Sequence, residues 1–246
     1  MNNEIFITGG TGLLGKEIAD RLMKDGFDVI STTTTDEKVG EYSAYGQKLT
    51  IRKVNFLDNG FVGQIEKIFE KSGNIMAIIN NARSLKFLET DRRGFCKPDD
   101  LMNEFKINVV VPYQISMLGA ELVGNLETII NIGSQYASRV PNPNIYDEKT
   151  DASPIQYNVS KAALNKITKE LAVRFADKKI RVNCIEYGGI VGRAPKSFVS
   201  RYNDKVPHGR MLDVKECYGP IKMLLDPDNT CVNGAILEAN AGWTIC

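Results

Sequence analysis

A glycine-rich turn near the amino end constrains the fold of this chain more than any other stretch. Residues 8–15 read Thr-Gly-Gly-Thr-Gly-Leu-Leu-Gly, follow the apolar run 5–7 and lead into a segment with helical spacing of apolar residues. The pattern predicts a strand, a tight turn and the start of a helix, where free backbone N–H groups suit a pyrophosphate. The spacing fits G-x-G-x-x-G from Gly10 and G-x-x-G-x-x-G from Gly9. The alternative is a turn whose glycines only allow the helix and strand to pack closely.

Composition limits the partners that such a chain can have. The 246 residues are 43% hydrophobic, which supports a packed core and argues against disorder. With 31 basic and 30 acidic residues the net charge is +1, so we expect neither nucleic acid nor a membrane surface as a partner. The five cysteines are widely spaced and form no C-x-x-C, which favours reduced thiols and no metal site. No signal peptide and no apolar run of membrane-spanning length is found, so the expected location is cytoplasmic.

Apolar, β-branched segments alternate with helical segments along the whole chain. The expected strands are 5–7, 27–32, 49–56, 75–79, 127–132, 179–186 and 234–238. Such alternation predicts an α/β fold with a doubly wound parallel sheet of about seven strands and helices on both faces. No repeat or linker divides the sequence, so we expect a single domain over residues 1–246.

Ligands in sheets of this kind bind at the carboxyl ends of the strands. The positions predicted there are Gly9, Gly12, Thr33, Asn55 and Asn81. The second strand ends in a run of threonines, followed by Asp36 and Lys38. Hydroxyl groups and a lysine can bind the 2′-phosphate of NADP, whereas an aspartate can bind the ribose of NAD. The sequence favours NADP over NAD by a small margin and leaves both open.

A tyrosine and a lysine four residues apart supply a second candidate feature. Tyr157 and Lys161 lie on one face of a predicted helix, where the lysine cation favours ionisation of the phenol. Ser134 follows the fifth predicted strand and can hold a substrate oxygen. A second copy of the spacing, Tyr218 to Lys222, includes a glycine and a proline and is interpreted as a surface helix. The first copy therefore predicts a proton relay beside a hydride carrier.

Taken in chain order, these motifs resemble the short-chain dehydrogenase/reductase family across nearly the whole sequence. The set is completed by Asn80-Asn81-Ala82, by Asn108 just before Pro112 in a long helical segment (101–123), and by Arg181-Val182-Asn183 with Gly188. The resemblance implies a single Rossmann domain, an NAD(P) cofactor, and a homodimer or homotetramer. The implied catalytic residues are Asn108, Ser134, Tyr157 and Lys161. The implied cofactor-binding residues are Gly9, Thr11, Gly12, Leu13, Leu14, Thr33, Thr34, Asn55, Phe56, Asn81, Ala82, Tyr157, Lys161, Gly188 and Ile190.

The family pattern also assigns roles. Tyr157 would be the general acid/base, Lys161 would bind the nicotinamide ribose, and Ser134 would orient the substrate oxygen. Asn108 would hold a water molecule in the relay. Arg83 replaces the glycine that usually follows Asn-Asn-Ala, and Tyr187 replaces the proline that usually precedes Gly188.

The resemblance implies an NAD(P)-dependent oxidoreductase acting on a carbonyl or alcohol. The long interval between Ser134 and Tyr157 is similar to members of flagellin or surface-polysaccharide sugar biosynthesis. Basic residues, namely Arg83, Arg93 and Arg193, suggest an anionic small molecule such as an acidic or nucleotide-linked sugar, or are simply solvated. A substrate loop is expected around 190–212. The alternatives are a sugar-nucleotide epimerase or dehydratase, and a non-catalytic dinucleotide-binding protein.

Overall fold

The structure is a computed structural model that describes residues 3–38, 48–147, 153–192 and 194–245. Its centre is a seven-stranded sheet in the order β3-β2-β1-β4-β5-β6-β7, with all neighbouring strands parallel. The strands are β1 (Glu4–Ile7), β2 (Asp28–Thr33), β3 (Leu49–Lys53), β4 (Ile75–Asn80), β5 (Thr128–Ile132), β6 (Arg181–Tyr187) and β7 (Ile236–Ala239). The predicted α/β fold is confirmed. The strand ends differ from the prediction by up to three residues.

Helices cover both faces of this sheet. They are α1 (Leu13–Lys24), α2 (Phe61–Lys71), α3 (Pro98–Phe105), α4 (Val111–Leu122), α5 (Gln135–Ser138), α6 (Ile155–Arg174), α7 (Lys196–Asn203) and α8 (Tyr218–Leu225). The apolar side chains of α1 and α8 share one core cluster, and those of α2, α4 and α6 share the other. Within β1, Ile5 and Ile7 belong to the first cluster and Phe6 to the second. Since successive strand residues point to opposite faces, a strand that is apolar throughout needs this double cover.

The order of the strands reverses between β1 and β4. From β1 the sheet continues through β2 to β3 on one side, and from β4 through β5 to β7 on the other. The connections that leave the carboxyl ends of β1 and β4 therefore run in opposite directions. This opens a crevice at that edge, the usual position of ligands in such sheets.

The long helical segment that contains Pro112 is interrupted by a π-helical stretch. Helix α3 passes at Phe105 into π turns over Lys106–Val110, and α4 continues from Val111. A proline inside a helix is a common cause of a kink, and the distortion lies just before Pro112. Proline has no N–H to donate to the carbonyl one turn earlier, so the backbone widens there. Asn108 sits in the middle of this stretch.

A third, smaller core anchors the segment expected to be a substrate loop. Tyr202 of α7 stacks on Trp243 with ring centroids 4.4 Å apart, beside Ile145, Val206 and Met211. The two ends of the loop meet in a short parallel bridge between Ile190 and Leu212. The segment is thus closed by this bridge at its two ends and packs against the third core.

The described residues include neither a helix suited to span a membrane nor a cluster of side chains suited to hold a metal ion. No described helix has the length and hydrophobicity that crossing a membrane requires. No group of three or more His, Cys, Asp or Glu side chains is placed to hold a metal ion in the part of the chain that the structure describes. Cys96, Cys184, Cys217 and Cys231 are free thiols, and Cys246 lies outside the described residues.

Candidate active site

A cleft of about 1070 Å³ occupies the carboxyl edge of the sheet at the crevice between β1 and β4. All of the predicted cofactor-binding residues line it: Gly9, Thr11, Gly12, Leu13, Leu14, Thr33, Thr34, Asn55, Phe56, Asn81, Ala82, Tyr157, Lys161, Gly188 and Ile190. Ser134 lines it as well. Residues from seven separate parts of the sequence therefore meet at one surface.

The glycines of the first turn have different tasks. Gly9 has a φ of +68°, which a residue with a side chain rarely adopts, and its N–H donates to Thr32 Oγ1 at 3.1 Å. A Cβ atom on Gly15 would lie 2.3 Å from the carbonyl oxygen of Gly9, so this glycine serves close packing. A Cβ on Gly12 would meet only that same oxygen, at 3.5 Å. Gly12 caps α1 without a side chain, which leaves the positive end of the helix facing the cleft.

Thr8 and Asn81 join the ends of β1 and β4. The Thr8 hydroxyl accepts the N–H groups of Asn81 and Ala82, both at 2.9 Å. The Asn81 amide donates to the carbonyls of Thr8 at 3.0 Å and Gly9 at 3.2 Å. The sequence did not indicate the role of Thr8. Its contacts to Asn81 and Ala82 form only because β1 and β4, about 70 residues apart in the chain, are neighbours in the sheet.

The residues after β2 separate into two groups. Thr11 donates to the Thr33 hydroxyl at 3.1 Å, and Lys38 Nζ donates to the Thr11 carbonyl at 3.3 Å. Asp36, the other candidate for contacting the cofactor, forms an ion pair with Lys53 on β3 and is largely exposed. The hydroxyl groups and Lys38 line the cleft.

The side chain of Asn55 makes hydrogen bonds to the turn that follows β3. Its side-chain oxygen accepts the N–H of Leu57 at 3.2 Å, and its amide donates to Asp58 at 2.8 Å. The side chain thus stabilises the turn after β3, while the residue still lines the cleft.

Ser134, Tyr157 and Lys161 approach the cleft from two elements. Ser134 lies two residues after β5, and its oxygen caps α5 by accepting the N–H of Tyr136 at 3.2 Å. Lys161 of α6 is buried, and its ammonium donates to the carbonyl of Ile132 at 2.7 Å. Nζ of Lys161 lies 5.9 Å from the ring centroid of Tyr157. Burial lowers the pKa of Lys161, and the nearby Tyr157 acts in the opposite direction.

A second cation lies over the Tyr157 ring. The guanidinium carbon of Arg83 is 4.9 Å from the ring centroid, within cation–π range, and Arg83 and Lys86 line the cleft. Arg93, by contrast, pairs with Asp91 at 3.4 Å in an exposed loop and is not among the lining residues. Arg193 lies outside the described residues. Of the three arginines expected at the mouth, the structure brings Arg83 to the site.

Asn108 lies behind the cleft rather than in its wall. It is 1% exposed, and its amide donates to Glu104 Oε2 at 2.7 Å and to Ser160 Oγ at 3.0 Å. Glu104 is equally buried, and sequence reasoning gave no role to it. The four-residue spacing places Glu104 and Asn108 on one helix face, but the sequence does not indicate that this face is buried.

Four aromatic side chains form part of the cleft wall. Tyr136, Tyr146, Phe198 and Tyr202 line the cleft, and the Tyr136 and Tyr146 hydroxyls are 3.0 Å apart. Burial raises the pKa of the Tyr136 and Tyr146 phenols, so both are neutral near pH 7. Tyr202 donates to Gln135 Oε1 at 3.0 Å and accepts the N–H of Gly189 at 2.8 Å, which ties α7 to the end of β6.

Tyr187, the residue that departs from the family pattern before Gly188, is also held in place. Its hydroxyl donates to the carbonyl of Cys217, just before α8. The ring is buried, and burial raises the pKa of this phenol. Tyr187 therefore fixes the end of β6 through its side chain.

Comparison with known proteins identifies the family. A family model described as Enoyl-(Acyl carrier protein) reductase matches residues 12–244. Post-translational flagellin modification protein A of Campylobacter coli is 21% identical over 257 residues, covering 98% of both chains. A 2-dehydro-3-deoxy-D-gluconate 5-dehydrogenase of Dickeya dadantii is 26% identical over 254 residues, covering 97% of this chain and 94% of that protein.

A solved structure supports the same fold. The short-chain dehydrogenase of Leptospira borgpetersenii with bound NAD⁺ superposes with a TM-score of 0.85 at 24% identity, covering 99% of this chain and 93% of the other. The match of the family model shows the class of protein, and the chain belongs to the short-chain dehydrogenase/reductase family. It is an NAD(P)-dependent oxidoreductase by class.

Proposed function

We propose that this protein transfers a hydride between NAD(P) and a carbonyl or alcohol group of a small substrate, with Tyr157 as the general acid/base. The observation that carries the proposal is that Ser134, Tyr157 and Lys161 line the same cleft as the uncapped start of α1. A phosphate-binding helix end and a proton-transfer group on one surface are what this reaction requires.

The residues of the cleft fit a dinucleotide. Gly12 and the first turn of α1 would bind the pyrophosphate, because a side chain at Gly12 would stand between the helix end and the ligand. When bound, NAD(P) supplies or accepts the hydride. Ser134 accepts an N–H from Tyr136, so its own hydroxyl hydrogen is free to hold the substrate oxygen. Tyr157 then gives a proton to that oxygen in reduction, or takes it in oxidation.

NADP is the cofactor we favour. Thr33, Thr34 and Lys38 line the cleft, whereas the Asp36 carboxylate is neutralised by Lys53 and directed away. A carboxylate beside the ribose would repel a 2′-phosphate, and a lysine would attract it. Changing Lys38 to Ala should raise KM for NADPH roughly tenfold, an amount that corresponds to about 1.4 kcal/mol, and leave KM for NADH unchanged. Equal effects on both cofactors would contradict this preference.

We further propose that the substrate is an acidic or nucleotide-linked sugar. Arg83 and Lys86 supply positive charge in the cleft, and the phenols of Tyr136 and Tyr146 offer flat apolar surfaces with hydroxyl groups at their edges. Sugars bind to such combinations through stacking and hydrogen bonds. The name of one relative, a 2-dehydro-3-deoxy-D-gluconate 5-dehydrogenase, refers to a keto-sugar acid.

A spectrophotometric assay tests both parts of the proposal. NADPH and NADH oxidation would be followed with keto-sugar acids, nucleotide-linked keto-sugars, 3-oxoacyl thioesters and neutral cyclic ketones. We expect turnover with the acidic sugars, with KM values well below those of the neutral ketones. Turnover confined to thioesters would refute the sugar proposal, and no oxidation with any carbonyl compound would refute hydride transfer itself. Conversion of a sugar nucleotide without net oxidation would support the epimerase or dehydratase alternative.

The remaining expectations are also proposals. We expect a single domain and a homodimer or homotetramer in the cytoplasm, on analogy with the family. Sedimentation equilibrium of the purified chain would measure the number of copies, and a monomer at micromolar concentration would contradict this expectation.

A further inference from the structure

Glu104 is a buried carboxyl group next to the proposed relay. It lies on α3 and is 1% exposed, and Oε2 accepts the Asn108 amide at 2.7 Å. Among the described residues its other oxygen, Oε1, has no hydrogen-bond partner. A carboxylate with one unpaired oxygen is costly to bury, so its presence there calls for a reason.

Among the described residues, Asn108 also has a side-chain oxygen without a hydrogen-bond partner. Its two amide hydrogens go to Glu104 and Ser160, and the part of the chain that the structure describes offers no donor to its Oδ1. Two acceptor oxygens thus remain unsatisfied on side chains that already touch each other. A proton on Glu104 Oε1 would turn one acceptor into a donor, and a buried water between the two would have polar partners.

The charges that face Glu104 come from two other elements. Arg83, in the loop after β4, and Lys161, on α6, both lower the pKa of Glu104, but burial is the largest effect and raises it overall. Arg83 and Lys161 are the same two cations that flank the Tyr157 ring, and Tyr157 is the other titratable group of the cluster. Ser160 completes the contact, because its hydroxyl accepts from Asn108 and donates to the Tyr157 carbonyl at 2.9 Å.

We propose that Glu104 is a positioning residue of the relay that stores the proton exchanged through Tyr157. The inference rests on the proposed function. In reduction, the O–H bond of Tyr157 breaks and an O–H bond forms on the substrate oxygen, while the substrate carbon receives the hydride from NAD(P)H. The carboxylic acid of Glu104 then loses its proton, the Tyr157 hydroxyl is restored by way of Lys161, and the carboxylate regains a proton from solvent. One solvent proton is consumed per turnover, and oxidation runs the same steps backwards.

The test uses Glu104→Gln in the full-length protein. Glutamine keeps the size of the side chain and an oxygen for the Asn108 amide. Unlike a carboxyl group, however, its amide does not ionise and so cannot release a proton. We expect kcat to fall about tenfold, which is less than the roughly 10²-fold minimum for a direct general acid or base because Glu104 acts through other groups, with cofactor affinity unchanged. The pH profile of kcat should lose one titration step. Glu121→Gln, an exposed glutamate on α4, is the matched control and should retain the wild-type profile.

A measurement without turnover examines the same group. Infrared spectra of the cofactor-free protein should show a protonated carboxyl band at about pH 6, where ordinary carboxyl groups are ionised. That band should be missing in Glu104→Gln and present in Glu121→Gln. Its absence from the wild-type protein would overturn the proposal. Thermal unfolding of each variant would confirm that the comparison is between folded proteins.

The two proposals fail differently. If the wild-type protein oxidises NAD(P)H with a carbonyl substrate and Glu104→Gln matches it in kcat and pH profile, Glu104 is only a hydrogen-bond acceptor for Asn108 and the relay inference is wrong. If the wild-type protein transfers no hydride, the proposed function fails first, and the relay fails with it. Rescue of Glu104→Ala by added formate would support proton storage, because a small acid can replace the missing carboxyl.

Discussion

Two tyrosine–lysine pairs with the same four-residue spacing lie in very different surroundings. Tyr157 and Lys161 line the cleft, and the lysine is held by a main-chain carbonyl. Tyr218 and Lys222 both donate to one carboxylate, Asp25 Oδ2, at 3.0 Å and 2.7 Å. The second pair ties α8 to the end of α1 and lies outside the cleft.

The similarity extends further than the spacing. An arginine lies over each ring, Arg83 at 4.9 Å from the centroid of Tyr157 and Arg21 at 5.6 Å from that of Tyr218. Burial and Asp25 raise the pKa of Tyr218, so its phenol stays protonated. A cation beside a phenol is therefore insufficient for acid–base chemistry. What distinguishes the first pair is its access to the cleft.

The largest expected difference in kcat is between variants that lack one or the other of the two phenol hydroxyls. Tyr157→Phe removes the proton donor and should lower kcat at least about 10³-fold, while the dissociation constant of the cofactor, measured by fluorescence, stays the same. Tyr218→Phe should leave kcat within about twofold and cost roughly 1 kcal/mol of unfolding free energy for the lost hydrogen bond. Retained turnover in Tyr157→Phe would refute the assignment of the general acid/base.

Replacing the two lysines should also affect activity unequally, with a smaller difference than between the two tyrosine variants. Lys161→Met removes a buried positive charge from the cleft and should lower kcat/KM roughly 10²-fold, since it takes away electrostatic stabilisation of the reacting groups. Lys222→Met should change kcat/KM by less than about twofold, because its charge only pairs with Asp25 at the surface. Steady-state kinetics on both variants, with their circular dichroism compared, decides the matter. Similar losses in the two variants would mean that the comparison between the pairs is misleading.

The arginines over the rings offer a third contrast. Arg83→Ala should raise KM for an acidic sugar roughly tenfold, equivalent to about 1.4 kcal/mol, and leave KM for a neutral ketone unchanged. Arg21→Ala should alter neither. If Arg83→Ala weakens both substrates equally, the guanidinium supports the position of Tyr157 rather than recognising an anion.

The smallest effect concerns stability and pH at the second pair. The hydrogen bond from Lys222 is the main cause that lowers the pKa of Asp25. Because the folded pKa lies below the unfolded value, the stabilisation is complete above about pH 4 and is lost as the pH falls through the folded pKa. Asp25→Asn should lose up to about 1 kcal/mol at pH 7, and the difference from wild type should shrink in acid. Urea unfolding at several pH values measures this difference in unfolding free energy between the wild-type protein and Asp25→Asn. A difference that stays constant down to pH 3 would contradict a lowered pKa of Asp25 as its cause.

The sequence predicted those parts of the molecule that depend on local pattern. The sheet followed from apolar segments that alternate with helical ones, and the glycine turn followed from its position between a strand and a helix. The cleft followed from the rule that strand ends meet at one edge. The same rule brought Asn55 and Asn81 to the cleft, although their side chains turned out to stabilise the local backbone.

Other features depend on contacts between residues far apart in the chain, and local pattern does not reveal them. Thr8 is one hydroxyl among many until β1 and β4 become neighbours. The bond from Tyr187 to the Cys217 carbonyl spans 30 residues. Glu104 would pass for a surface residue of an amphipathic helix, and its burial follows from the packing of α3 against α6.

The anchor of Lys161 has a consequence for how the protein can change over evolutionary time. The ammonium is held by the backbone oxygen of Ile132, which every amino acid possesses. Exchanges at position 132 can therefore reshape the floor of the pocket without displacing the positive charge above it. The identity of the side chain at position 132 therefore does not reveal what holds the ammonium in place.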